Sequence, residues 1–282
     1  MSFNIRVMTH NDIDFAMRLI DSVRWGNTRA DIERSLFYEP HGCFVASIDG
    51  VDVGIVNSFL YDDVGFIGNL IVEEGVRGRG VGAALMSHAI TRLTSEGATR
   101  IRLDAVQEAV PLYKRLGFMK EYWSLRFSGI ATHGTSHGVR PMTEEDLGDV
   151  NGLDLFYSGF DRGQKLRRVF GDSPDLCFVA ELGGEMKGFI MGKLGASAVR
   201  FGPWVCDPHY DLLASSLFNG LMSRVIGQRI WVGVPEYNMT SVNIIQGNCL
   251  EPLPSSLRMC FGGLWGFEKI EGLFAIGAAD KG

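Results

Sequence analysis

A pattern repeats along this chain of 282 residues at a constant separation of 134 residues. IRVMTHNDI near the start recurs as VRPMTEEDL, and CFVASIDGVDVG from Cys43 recurs as CFVAELGGEMKG from Cys177. Gly68 in FIGNLIV and Gly202 in RFGPWVC have the same separation. One offset shared by several distant matches indicates two copies of one fold, each long enough to be a domain.

The repeat predicts where the domains begin and end. We expect a first domain over residues 1–128, a linker over 129–138 and a second domain over 139–282. His133 and His137 lie in SGIATHGTSHGV, whose small polar residues fit a linker better than a metal site, so no metal is expected. Later in the chain the offset drifts by a few residues, as insertions in loops would cause.

Hydrophobic periodicity within the first copy predicts strands mixed with helices. The predicted strands are 5–8, 44–48, 53–60, 66–72, 101–105 and 123–127, and the predicted helices lie near 13–20, 29–38, 79–93 and 110–116. Asp49-Gly50 is a hairpin turn signal between the second and third strands. This order predicts an α+β fold with a mixed α/β sheet.

Composition excludes several classes of protein. The net charge of −6 argues against general binding of nucleic acid, which needs a basic face. The five cysteines are scattered and never in CxxC spacing, which favours a reducing compartment without structural zinc. The sequence shows neither a signal peptide nor a long apolar run, so we expect a cytoplasmic protein without a membrane partner. A homodimer is one possible assembly.

A glycine-rich run, VEEGVRGRGVGAALM, begins at Val72. A triphosphate P-loop is excluded because the run lacks Gly-Lys followed by Ser or Thr. A dinucleotide site fits in part, because Gly78, Gly80 and Ala83 match G-x-G-x-x-A and Asp104 follows 21 residues after Ala83. Against it, five residues separate the motif from its strand, and a hairpin precedes that strand.

A third interpretation is that the backbone N–H groups of residues 77–82 bind a pyrophosphate at a helix N-terminus. Glycine lacks the Cβ that would keep phosphate oxygens away from the amides. The helix end adds partial positive charge, and Arg77 and Arg79 add full charges in an otherwise acidic protein.

The same run resembles the acetyl-CoA motif R/Q-x-x-G-x-G/A of the GNAT superfamily of N-acetyltransferases. Arg77, Gly80 and Gly82 occupy the motif positions, while Glu74 stands where the family often has proline. LDAVQEAVPLYKRLGF, ending at Phe118, resembles the family's next strand and a helix that ends L-Y-x-x-L-G-F. The resemblance covers most of residues 1–128 and implies two tandem GNAT-like (acyl-CoA N-acyltransferase) domains.

The resemblance also implies where acetyl-CoA would bind as co-substrate. In this family the thioester lies along the strand before the loop, whose backbone N–H faces the developing oxyanion, and the loop holds the pyrophosphate. The implied cofactor-binding residues are Leu70, Ile71, Val72, Arg77, Gly78, Arg79, Gly80, Val81, Gly82 and Tyr113.

Candidate catalytic residues follow from the same comparison. Tyr113 matches the tyrosine that in many members hydrogen-bonds to or protonates the departing sulfur, and a phenol with its ordinary pKa of ~10 can donate at pH 7. Tyr113 could instead only pack its helix on the sheet, and Asp104 either orients substrate or pairs at a strand end. The strand 66–72 lacks the glutamate that some members use as the base, so Glu73 is the candidate base beside it.

The acceptor site is less well indicated. RWGNTRAD lies between the first two helices, a segment that borders the acceptor site in this family, which makes Trp25 and Asn27 candidate substrate-binding residues. Trp25 could equally cover the core. Asp62 and Asp63 precede the strand 66–72 and are further candidates, although a solvated loop also explains them.

The second copy has lost the motif. At the offset of 134, Asp211, Ala214 and Ser216 stand in place of Arg77, Gly80 and Gly82, although leucines still recur at four-residue steps in the helix. The second domain is therefore expected to keep the fold without binding coenzyme A.

Three functions remain open from the sequence. The first is transfer of an acetyl group from acetyl-CoA to a primary amine of a small molecule or protein, by direct attack in a ternary complex. The second is a non-catalytic acyl-CoA sensor, and the third is an NAD-dependent oxidoreductase. The sequence identifies neither the acceptor nor the general base.

Overall fold

A computed structural model describes residues 3–262 and 268–277 of the chain. They form two compact units, one of residues 3–120 with 258–262 and one of residues 121–257 with 268–277. This division differs from a boundary at residue 128, because residues 124–130 pair with a strand of the second unit. Each unit therefore contains a segment from the other half of the chain.

The first unit is built on a mixed sheet, with strand order β1-β2-β3-β4-β5 and the end of β12 beside β5. The pairs β1–β2, β2–β3 and β3–β4 are antiparallel, and the pair β4–β5 is parallel. In chain order the elements are β1 (Phe3–Val7), α1 (Ile13–Val23), α2 (Arg29–Tyr38), β2 (Cys43–Ile48), β3 (Val51–Tyr61), β4 (Val64–Val72), α3 (Val81–Ser95), β5 (Arg100–Ala105), α4 (Val110–Arg115) and β6 (Met119–Ile130). Most of β6 belongs to the second unit.

Helices cover both faces of this sheet. Apolar residues of α1 and α2 pack with Cys43, Val45, Ile55 and Ile71 in one buried cluster. A Cβ on Gly54 would lie 3.1 Å from Leu85 Cδ1 of α3, so Gly54 faces the opposite side from Ile55. Because side chains alternate along a strand, α1 and α2 lie on one face and α3 on the other.

Local signals account for the helix ends. Thr28 caps α2, because its hydroxyl accepts from the Asp31 N–H while the Asp31 carboxylate accepts from the Thr28 N–H. The buried face of α3 contains the residues at four-residue steps, as predicted: Val81, Leu85, Ala89 and Leu93.

The second unit has strand order β7-β8-β9-β10-β11-β6 followed by the first part of β12. Its elements are β7 (Val139–Pro141), α5 (Leu147–Ser158), α6 (Gly163–Asp172), β8 (Cys177–Leu182), β9 (Glu185–Leu194), β10 (Val199–Cys206), α7 (Asp211–Arg224), β11 (Arg229–Pro235), α8 (Met239–Gly247), β12 (Glu251–Phe261) and β13 (Leu273–Ala275). Among the helices of the described ranges, none is long and apolar enough to cross a membrane.

The same ion-pair cluster recurs in both units. Arg6 donates two hydrogen bonds to Asp12, each 2.8 Å, and Arg140 donates two of 2.7 Å to Asp146. The arginine hydrogen bonds lower the pKa of each aspartate to about 2. Recurrence of this cluster at the offset of 134 supports two copies of one fold.

Candidate active site

The strands β4 and β5 diverge halfway along β4. Their parallel pairing runs from Val64 to Phe66, opposite residues 100–102, and no further pairing between them occurs in the described chain. Among the residues that the structure describes, the remainder of β4 pairs with β3 alone. An opening therefore separates the two strands, and one backbone edge of β4 faces it.

A β-bulge lies on β4 beside this opening. Ile55 pairs with Ile71 and Asn57 pairs with Gly68, so β4 holds one residue more than β3 in this interval. Asn69, inside the bulge, has a φ of 51°. A bulge bends its strand and redirects its backbone groups, so the β4 edge is distorted beside the opening.

The loop 73–80 connects β4 to α3 and is exposed around Gly78 and Gly80. Gly78 and Gly80 have φ values of 77° and 89°, a left-handed conformation that favours glycine. The first intrahelical hydrogen bond runs from the Ala84 N–H to the Gly80 carbonyl, so the N–H groups of residues 81–83 have no acceptor within the helix. Several backbone N–H groups without an intrahelical acceptor therefore lie together at the α3 N-terminus.

Two arginines flank these donors, as the sequence predicts. The Arg77 Nε donates to the Val72 carbonyl at 3.0 Å and so ties the loop to the end of β4. Arg79 is exposed. The loop therefore combines left-handed glycines, free N–H groups and positive charge, which suits an anion.

The first turn of α3 lies against β4 and α4. A Cβ on Gly82 would lie 3.7 Å from Val72 Cγ2, 3.8 Å from Leu112 Cδ2 and 4.0 Å from Leu70 Cδ2. Ile71 points to the other face, where it packs with α1 and α2. The structure thus brings the predicted cofactor residues of the strand, loop and helix together.

Tyr113 lies on α4, one residue after Leu112, and is 7% exposed. Its ring packs edge-on against Phe118 with centroids 5.9 Å apart. Burial raises the pKa of Tyr113 to about 12. The expectation that this phenol has its ordinary pKa is therefore wrong. The phenol keeps its proton at neutral pH and can only donate it.

We expect Tyr113→Phe to lower kcat by about 10–100-fold, because the leaving sulfur loses its proton donor, while the Kd for acetyl-CoA changes little. Steady-state kinetics and calorimetry measure the two quantities.

The pH dependence of stability gives a second check on Tyr113. As the pH rises from about 10 to 12, the unfolded chain loses its phenol proton before the folded chain does, so the folding stability of wild type falls. Tyr113→Phe should lose less, and an unchanged kcat would contradict the role as acid.

Asp104 lies in a buried ion pair, as one of its two expected roles allows, with a partner that the sequence does not predict. Its carboxylate accepts from Arg258 Nη2 at 2.7 Å, and the two side chains are 1% and 2% exposed. The Arg258 guanidinium also lies 5.6 Å from the centre of the Phe66 ring. Asp104 thus binds the segment of the first unit that begins at Arg258. A role of Asp104 in binding substrate stays a prediction.

Glu73 lies directly after β4, at the start of the loop 73–80. Its N–H donates to the Val53 carbonyl, and its carboxylate is 3.5 Å from Arg18 Nη2 on α1. Both side chains reach solvent. Glu73 therefore stays a candidate base that water can reach.

The structure does not bring Asp62 and Asp63 to this site. They form the turn between β3 and β4, and Asp63 accepts a hydrogen bond from the Thr99 hydroxyl at 2.5 Å. The bulge at Asn69 lies six residues farther along the strand, about 20 Å away at ~3.3 Å per residue. The prediction that these two carboxylates border the acceptor site is wrong, because the hairpin places them at the opposite end of β4.

Trp25 and Asn27 lie in the loop between α1 and α2. Trp25 is half-buried and packs on the cluster that contains Ile71 of β4. Asn27 is buried. This loop therefore lies on the face of the sheet opposite α3. The packing agrees with Trp25 covering the core, and its role in substrate binding stays a prediction.

The second unit lacks the loop itself. Eight residues, 73–80, separate β4 from α3, whereas four residues, 207–210, separate β10 from α7. Asp211 is the first residue of α7 and does not take the loop position of Arg77. The residue-by-residue mapping at the offset of 134 is therefore wrong here, because the second copy lost four residues of the loop.

A strand fills the opening of the second unit. The parallel pairing of β10 with β11 ends at Phe201, as that of β4 with β5 ends at Phe66. Beyond that point β13 pairs with β10 at Trp204 and Val205, and the Ile276 N–H donates to Gly233 of β11 at 2.9 Å. The position that is open in the first unit is thus occupied by the chain's own backbone.

Known proteins match both the sequence and the fold. The acetyltransferase (GNAT) family matches residues 12–118. Acetyltransferase SG1711 of Sodalis glossinidius is 32% identical over 124 residues, which cover 40% of this chain and 85% of that protein. The Bacillus subtilis protein "Uncharacterized N-acetyltransferase YitH" is 26% identical over 179 residues, and the chain spans 60% of its length.

Two solved structures share the fold over nearly the whole chain. A Pyrococcus horikoshii crystal structure has a TM-score of 0.83 and 24% identity, covering 99% of this chain and 96% of that one. A tandem GNAT protein from the clavulanic acid biosynthesis pathway has a TM-score of 0.63 and 16% identity, covering 94% of this chain and 100% of that one. At these identities the likeness concerns the fold alone. The match to the family over residues 12–118 and the 32% identity to SG1711 show that the chain belongs to the GNAT family of acetyltransferases, which are acyltransferase enzymes.

Proposed function

We propose that the first unit binds acetyl-CoA and transfers its acetyl group to a primary amine. The observation that carries this proposal is the opening between β4 and β5, with the exposed glycine loop 73–80 at its end. A long ligand with an anionic end fits this arrangement, because the loop offers N–H groups and the opening offers an unpaired strand edge.

The N–H groups of residues 77–82 would bind the pyrophosphate, with Arg77 and Arg79 supplying charge. The amide-bearing arm of the cofactor would then extend along β4. β13 supports this step, because it lies along β10 in the corresponding opening of the second unit and pairs with Trp204 and Val205. The opening in this fold thus accepts an extended, amide-bearing chain.

Transfer would proceed by attack of a neutral amine on the thioester carbon. The new C–N bond forms as the C–S bond breaks, and an N–H of β4 near Leu70 stabilises the oxyanion. The departing sulfur would take a proton from Tyr113, which is protonated at neutral pH, and the resulting tyrosinate would be reprotonated from solvent. The nitrogen loses one proton, for which Glu73 or water beside it is the acceptor.

A non-catalytic acyl-CoA sensor is the second candidate. The observation favouring it is that β4 carries no carboxylate and that Asp104 is committed to Arg258. The oxidoreductase interpretation loses its support, because eight residues separate β4 from α3, whereas a dinucleotide fingerprint follows its strand at once.

Two measurements on the full chain test the proposal. In a thermal-shift experiment acetyl-CoA should raise the melting temperature and NAD should not. With a panel of primary amines, release of free thiol should then depend on both substrates. Binding without thiol release from any amine would favour the sensor, and stabilisation by NAD alone would contradict both acyl-CoA functions.

A further inference from the structure

Asn57 is a buried amide without a hydrogen-bond partner. It lies in the middle of β3 and is 0% exposed. Neither its Nδ2 nor its Oδ1 has a partner among the residues that the structure describes. Buried polar groups are nearly always hydrogen-bonded, because an unpaired one costs free energy. The side chain is therefore expected to bind something that is not part of the chain.

Asn57 faces the α1–α2 side of the sheet. Ile55, two residues earlier on β3, packs in the cluster beneath these helices. Residues two apart along a strand share a face. Gly54 faces α3, so Asn57 lies on the face opposite the first turn of α3 and its cofactor loop.

The residue next to Asn57 in the direction of the opening is a glycine. The partner of Asn57 across the ladder is Gly68 of β4, which has no side chain and is partly exposed. Beyond Gly68, on its other side, β4 no longer pairs with β5. Gly68 is also the last residue before Asn69 in the bulge. The Asn57 amide therefore borders the part of β4 along which the thioester would lie.

The second unit provides an internal comparison. Met191 pairs with Cys177 as Asn57 pairs with Cys43, so the two occupy the same position in the fold. Met191 is 0% exposed and packs in an apolar cluster. The fold therefore does not need an amide here, and the amide occurs in the unit whose opening is unfilled.

We propose that Asn57 binds the nitrogen of the acceptor amine, which enters from the α1–α2 face of the sheet. A neutral primary amine both donates and accepts hydrogen bonds, so it can pair with Oδ1 and Nδ2. An uncharged amide suits the neutral amine that attack requires. This inference rests on the proposed function and makes Asn57 a determinant of acceptor binding.

The test compares wild type with Asn57→Met, which installs the residue of the second unit. We expect Asn57→Met to raise the KM for the best primary amine at least tenfold. The melting temperature should stay equal or rise, because two unpaired polar atoms are removed, and the acetyl-CoA Kd should stay within twofold. Asn57→Ser, which keeps a donor and an acceptor, should recover part of the amine affinity.

Other outcomes overturn the inference. An amine KM within twofold of wild type would show that Asn57 does not contact the acceptor. A lower melting temperature together with weaker acetyl-CoA binding would show that Asn57 supports the fold through an internal water. If wild type binds acetyl-CoA but calorimetry detects no primary amine binding to the coenzyme-loaded protein, the inference fails while cofactor binding stands. If acetyl-CoA itself does not bind, the proposed function fails first.

Discussion

Arg258→Leu is expected to destabilise the first unit by about 3–5 kcal/mol, because it removes the buried guanidinium that pairs with the buried Asp104 carboxylate. The two side chains are 2% and 1% exposed, so water cannot replace the lost interaction. Urea unfolding, combined with hydrogen exchange of the β5 amides, measures the loss in this unit.

An exposed ion pair serves as the matched control. Arg224 and Asp175 lie 3.4 Å apart with side chains 52% and 87% exposed, so Arg224→Leu should cost less than about 1 kcal/mol. Adding Asp104→Leu to Arg258→Leu should restore part of the stability, because neither charge of this pair then remains buried without the other. Equal losses for Arg258→Leu and Arg224→Leu would contradict the account of the pair.

Arg258 also explains why the unit boundaries could not be predicted. The residue lies 154 positions after Asp104, and nothing in the sequence near either one indicates the pairing. Local signals were sufficient elsewhere: the capping threonine Thr28 and the four-residue apolar steps from Val81 predicted α2 and α3 closely.

Other features of the site depended on contacts that the sequence does not show. The pKa of Tyr113 follows from burial, which the motif around it does not specify. The closing of the second opening depends on β13, which pairs with β10 some 70 residues earlier in the chain. Asn57 was missed because a lone asparagine in a strand carries no motif, although its apolar counterpart Met191 in the repeat was a visible signal.

Gly80→Val is expected to weaken acetyl-CoA binding by about 100-fold or more, which corresponds to ~2.7 kcal/mol. Gly80 has a φ of 89°, a conformation that a β-branched residue adopts only under strain. Valine would either distort the loop or place its side chain among the N–H groups that would bind the pyrophosphate. Isothermal titration calorimetry measures the change in Kd.

Gly75→Ala is the control for a change elsewhere in the same loop. A Cβ on Gly75 would meet nothing within 4 Å, and its φ lies outside the left-handed region. Its acetyl-CoA Kd should stay within about twofold of wild type. If Gly75→Ala weakened binding as much as Gly80→Val, loop flexibility rather than the left-handed cradle would control affinity.

The most direct test of the account is the stoichiometry of acetyl-CoA binding to the intact chain by calorimetry. One molecule should bind per chain, since the first unit has the opening and the loop while β13 fills the corresponding opening of the second. That single binding event should be lost in Gly80→Val. Two molecules per chain, or one that binds Gly80→Val with unchanged affinity, would show that the cofactor does not depend on the backbone cradle of the first unit.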